Sequence, residues 1–152
     1  MPNGSATYGQ IVVSAEPRGR FEEATADGTL FPGTVVEVKA ATSPELGRFT
    51  FGAAVANFGC LGIVCEDWSQ GRTVDQSYTT GDKMKIYFPL PGDDLLMRCI
   101  NASYAIGDIL GIGSGGLLQI STGTTGPQPF QSFDSATIGS GPYLLLCKYS
   151  GH

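Results

Sequence analysis

Between Gly71 and Leu96 the chain is punctuated so closely that only short strands fit. Thr79-Thr80-Gly81-Asp82 reads as a turn, because Gly tolerates positive φ and Asp can bond its own backbone. Lys83 to Phe88 then alternates, with Met84, Ile86 and Phe88 on one face and Lys83, Lys85 and Tyr87 on the other. That is the period of a half-buried strand. Pro89-Leu90-Pro91-Gly92-Asp93-Asp94 stops it, since neither proline can donate to a ladder. A further strand resumes at Leu95 and runs to Ile100.

The same punctuation recurs along the chain. Glycine supplies 22 of 152 residues, about twice the usual ~7%, and charged residues are 15% against the usual ~25%. No stretch repeats apolar residues at helical spacing for long. The pattern predicts an all-β fold, a small β-barrel or β-sandwich of roughly eight to ten short strands with an extended N-terminal arm. Thr34 to Ala40 reads as a strand with Val36 and Val38 inward and Glu37 and Lys39 outward. Arg48 to Ala56, Cys60 to Cys65, Gly107 to Ile112, Leu117 to Ile120, Phe130 to Phe133 and Tyr143 to Tyr149 read as further strands. The last carries Tyr143, Leu145, Cys147 and Tyr149 on one face and Leu144 and Leu146 on the other. Two apolar faces fit a central strand, or one face covered by a neighbouring subunit through Tyr143, Leu145 and Tyr149.

Residues 1–33 are set apart by composition, so the expected division is an arm over 1–33 and a barrel or sandwich domain over 34–152. Loose pieces such as Asn3-Gly4-Ser5 and Arg18-Gly19 interleave with apolar ones, too sticky for a purely solvated tail. Tyr8, Ile11, Val12, Val13, Arg18, Arg20 and Phe21 are the arm's candidate contact residues.

The charge of −5 argues against a nucleic-acid partner, which normally meets a basic footprint. No run of ~18 apolar residues predicts a membrane span. The start, MPNGSATYGQIVV, lacks the basic segment and apolar core of a secretion signal, so synthesis in a cytoplasm is expected. Cys60, Cys65, Cys99 and Cys147 lack a second close pair for zinc, and the lone histidine is His152. They read as small buried hydrophobes, with no metal and no cofactor expected. Gly111-Ile112-Gly113-Ser114-Gly115-Gly116 has dinucleotide-loop spacing, but Leu117 to Ile120 after it is a strand, so a Gly-rich hairpin turn is expected. Glu22-Glu23, Glu66-Asp67 and Asp93-Asp94 are adjacent pairs, which a strand points to opposite faces, and Asp93 and Asp94 read as turn caps. With no positioned imidazole, no enzyme is expected. Trp68 lies in a loop and reads as a lid over one barrel end. The alternative function is a carbohydrate-binding β-sandwich for host-surface attachment, with Trp68, Tyr78 and Tyr104 as stacking platforms.

The turn motifs also have an order. Glu16-Pro17-Arg18-Gly19-Arg20-Phe21 precedes Pro32-Gly33-Thr34-Val35-Val36. Gln70-Gly71-Arg72-Thr73 and Asp75-Gln76-Ser77-Tyr78-Thr79-Thr80-Gly81-Asp82 follow. Tyr87-Phe88-Pro89-Leu90-Pro91-Gly92-Asp93-Asp94-Leu95 and Ala105-Ile106-Gly107-Asp108-Ile109-Leu110 complete the series. From about Glu16 to Tyr149 this resembles the head decoration, or cement, proteins of tailed bacteriophages. The resemblance implies a structural virion protein on the outer capsid surface, commonly a homotrimer, that stabilises the shell by bridging major capsid protein subunits. In such proteins an N-terminal arm often reaches across neighbouring capsid subunits.

Overall fold

The computed structural model describes residues 10–39, 50–54, 61–121, 129–139 and 144–151. Five strands close a barrel in the order β1-β3-β2-β4-β5: β1 (Arg20–Asp27), β2 (Val35–Val38), β3 (Thr50–Ala53), β4 (Leu61–Cys65) and β5 (Lys83–Phe88). β1 runs antiparallel to β5, with Arg20 opposite Phe88 and Ala24 opposite Met84, and parallel to β3. Alternation sets two faces. Ala24, Ala26, Val36, Phe51, Val64, Met84 and Ile86 fill the barrel interior with Leu30 and Tyr78. Leu30 and Tyr78 exchange backbone hydrogen bonds and plug the end near Asp27. Phe51 and Phe88 meet edge-on, ring centroids 5.9 Å apart.

The outward faces of β2, β4 and β5 are not left to water. Val35, Ile63, Cys65 and Tyr87 belong to a second apolar cluster shared with a five-stranded sheet. Its order is β6-β12-β10-β8-β9: β6 (Asp94–Arg98), β8 (Ile109–Ile112), β9 (Leu118–Ile120), β10 (Phe130–Ser132) and β12 (Leu144–Tyr149). A parallel bridge between Cys99 and Leu118 joins the far ends of this sheet and curls it round its own apolar face. β7 (Ala102–Tyr104) and β11 (Ala136–Ile138) form a small ribbon beside it. The expected all-β class is therefore present, as a closed barrel beside a second sheet, with twelve strands among the described residues where roughly eight to ten are expected. Arg98 ties the two bodies: its Nε donates to the Pro32 carbonyl at 2.7 Å and one terminal nitrogen to Val74 at 2.8 Å.

Met84, Ile86 and Phe88 face inward as expected, but Tyr87, read as outward, is fully buried against the second sheet. Val36 is inward, whereas Val38 at the barrel rim is 51% exposed and Glu37 is buried, paired with Lys39 at 2.9 Å. β12 is a central strand, hydrogen-bonded to β6 and β10. Leu145 is buried in the chain's own core and cannot serve as a subunit contact. Tyr149 is half-buried with its ring edge-on to Phe130 at 5.3 Å, and Tyr143 lies outside the described residues.

The expected boundary at Gly33 gives way, because β1 is a barrel stave. The chain before it is also docked. The Leu96 amide donates to the Ile11 carbonyl at 2.8 Å and the Val13 amide to the Asp94 carbonyl at 3.0 Å, with Val12 bridged to Leu95. Residues 11–13 thus lie antiparallel along the edge of β6, and Ile11 and Val12 are buried in the core. The alternation that marks a stave is missing from Arg20 to Glu23 because those residues overhang the barrel.

Candidate docking surface

Two buried carboxylates fasten the N-terminal strap. Glu66 follows β4 and accepts the Ile11 amide at 3.0 Å. Burial pushes its carboxyl above the ordinary value of 4.5, opposed mainly by that amide. Asp93 lies in the turn between β5 and β6 and is 1% exposed. It accepts the Tyr87 hydroxyl at 2.6 Å and the amides of Arg18 at 2.9 Å, Leu90 at 3.0 Å and Gly19 at 3.3 Å. Burial acts to raise its pKa, and these four donors hold it below the ordinary value. Burial and the Asp93 bond raise the Tyr87 phenol to about 12, so it stays a donor. Asp93 was expected to cap a turn; it is also the anchor of the strap. Adjacency to Pro91-Gly92 was visible in sequence, but not the arrival of Arg18 and Gly19.

Of the expected arm contacts, Ile11 and Val12 are therefore spent inside the molecule, Val13 is half-buried and Tyr8 lies outside the described residues. Arg18, Arg20 and Phe21 do reach the surface together. Gly19 permits this. A Cβ there would land on the Phe88 carbonyl and within 2.8 Å of the Tyr87 ring, so only glycine lets the strap lie against β5.

Two shallow hollows flank this short run. One, about 210 Å³, is lined by Phe21, Glu22, Glu23, Asp67, Met84 and Lys85. The Lys85 ammonium sits 4.4 Å from the centre of the Phe21 ring, and that ring packs on Tyr87 at 4.8 Å. The other, about 240 Å³, lies at the barrel rim between Arg18, Gly19, Arg20, Phe88, Pro89 and Leu90. Arg20 pairs with Glu22 at 2.7 Å, and Leu90 is 50% exposed. Both hollows are open and small, suited to a side chain of a partner rather than to enclosing a substrate.

Cys65, Cys99 and Cys147 are buried free thiols, Cys60 and His152 lie outside the described residues, and no group of metal-binding side chains gathers among the described residues. Gly111 to Gly116 spans the end of β8 and the turn into β9, a hairpin with Gly115 and Gly116 at positive φ. Asp94 faces outward and pairs with Lys148 at 2.7 Å. Trp68 is no lid: it stands 63% exposed on a single 3-10 turn, Trp68–Gln70, capped by Asp67. Tyr78 and Tyr104 are buried, their hydroxyls donating to the carbonyls of Cys65 and Ile100, so neither ring face is open to a sugar.

No family model and no curated protein matches the chain. Among solved structures it is similar to the N-terminal base of head fiber protein gp8.5 of bacteriophage phi29, with a TM-score of 0.59. The likeness covers 87% of this chain and 94% of that one at 10% sequence identity. At that identity the two share a fold.

Proposed function

We propose that the chain is a structural protein of a tailed-phage head, mounted on the outer capsid surface, where it stabilises the shell by bridging major capsid protein subunits. The observation that carries this reading is the fold shared across most of both chains with the base of a phage head fiber. The ordered turn motifs from Glu16 to Tyr149 that resemble head decoration proteins point the same way.

The mechanism is mechanical. A rigid body touching two or more capsid subunits must be detached before those subunits separate, and several weak contacts add through effective concentration. A trimer would multiply those contacts. Of the expected arm contacts, Arg18, Arg20 and Phe21 remain exposed for them, with Leu90 of the β5–β6 turn beside the two arginines. The carbohydrate reading retains one of its three platforms, Trp68, and is not carried further.

Purified protein is mixed with heads lacking it, sedimented, and the heads are heated. Stoichiometric co-sedimentation with a raised disruption temperature supports the proposal. Absence of binding at micromolar concentration overturns it.

A further inference from the structure

Arg20 and Phe88 are register partners on β1 and β5, on the face that lines the barrel interior farther along both strands. The rim hollow is therefore the barrel's own apolar lining continued past its wall, with Phe88 half-buried at the floor and Pro89 and Leu90 on one side. Arg18 and Arg20 stand on the other side. The chain carries 9 basic against 14 acidic residues, yet the hollow's lining holds two guanidiniums and no carboxylate, with Glu22 paired to Arg20 just outside it. Arg20 is engaged with Glu22, but the Arg18 guanidinium has no ion pair or hydrogen bond among the described residues. Its backbone is held by Asp93, so the charge is presented from a fixed point.

The hollow measures about 240 Å³, below the roughly 300 Å³ at which small-molecule pockets begin. It suits one apolar side chain. Guanidinium beside it suits a carboxylate, which arginine meets with two parallel bonds.

We propose that the hollow between Arg18–Arg20 and Phe88–Leu90 is a docking site for an acidic segment of a partner protein, one apolar side chain seated on Phe88 and Leu90 and a neighbouring carboxylate on Arg18. The site stands on the chain's own geometry. It rests on the virion reading only for the source of that segment, which is then the capsid surface.

The test uses the full chain, isotope-labelled, and three capped tripeptides: glutamyl-leucyl-glutamate, lysyl-leucyl-lysine and glutamyl-glycyl-glutamate. At millimolar peptide, the first should move the amide resonances of Arg18, Gly19, Arg20, Phe88 and Leu90. The second should leave them in place, and the third should bind more weakly. Arg18→Gln with Arg20→Gln should weaken the first peptide at least about tenfold, the loss expected for a charge-assisted pair. The same spectra report whether the variant is folded. No shift at these amides, equal shifts with the lysine peptide, or undiminished binding by the double variant overturns the site. Sedimentation with heads is the second arm. Peptide binding lost in the variant while head binding is unchanged overturns the capsid as the source. Heads that fail to bind even the unaltered protein overturn the virion reading, while the peptide shifts still support the site.

Discussion

At the scale of single residues, Asp93 does the most. Its carboxylate is buried yet meets four donors, from a phenol and three amides on two segments far apart in sequence. Asp93→Ala leaves those donors facing a cavity, and should cost on the order of 3 kcal/mol in denaturant melts, since a buried unsatisfied group costs ~1–3 kcal/mol. Gly19→Ala forces the new methyl onto the Phe88 carbonyl, and overpacking of that kind costs roughly 1–3 kcal/mol. The two carboxylates also oppose each other in pH. Asp93 is held below 3.8, so its stabilisation is present above that value and is lost as pH falls through its lowered folded pKa. Glu66 is raised above 4.5, so its contribution is full below that value and is lost as pH rises through its raised folded pKa. Glu66→Gln keeps an oxygen for the Ile11 amide and removes the charge. Melting temperature against pH should therefore lose its upper decline in the variant and keep its acid limb.

At the scale of elements, the strap decides how the N-terminus behaves. A free arm would be removable without harm. Here Ile11 and Val12 fill the core, and their backbone completes the edge of β6. Deleting residues 1–18 should lower stability by roughly 3–6 kcal/mol, at ~1.5–3 kcal/mol for each buried apolar side chain. Ile11→Ala alone should cost about 2–5 kcal/mol. Hydrogen exchange gives the local readout: the amides of Val13 and Leu96 should be protected in the full chain, and Leu96 should lose protection after the deletion. A truncated protein of unchanged melting behaviour would return residues 11–13 to the status of a loose terminus.

At the scale of the whole molecule, the barrel and the second sheet share one apolar cluster, which encloses the thiols of Cys65, Cys99 and Cys147. Burial pushes the Cys65 and Cys147 thiols well above their ordinary values, away from the reactive thiolate. A thiol reagent followed by mass spectrometry should modify these positions only as fast as the protein unfolds, and chelators should leave melting unchanged. Association is tested at this scale too. The homotrimer implied by the resemblance to head decoration proteins is a proposal that light scattering on the purified protein tests: a trimer would support it, and a stable monomer at micromolar concentration would count against it.

Local signals sufficed wherever neighbours in sequence are also neighbours in space. The turn at Thr79–Asp82, the alternation of Met84, Ile86 and Phe88, the Gly-rich hairpin after β8 and the all-β class follow from turn chemistry and the two-residue period of a strand. Alternation states that two faces differ; it does not state what covers each. The two-residue period puts Tyr87 on the second face of β5 without showing that the second sheet roofs it, and it leaves β12 either central or a subunit contact, where the chain's own pairing and core make it central. Tyr78 and Tyr104 qualify as stacking platforms in the sequence for the same reason, and both are buried. The strap was the largest loss. Its hydrogen bonds run to Glu66, Asp93, Asp94 and Leu96, and a segment whose partners all lie far along the chain carries no periodicity of its own. Closure of the chain upon itself turned an apparent arm into core, and left Arg18, Arg20 and Phe21 as the part that still faces outward.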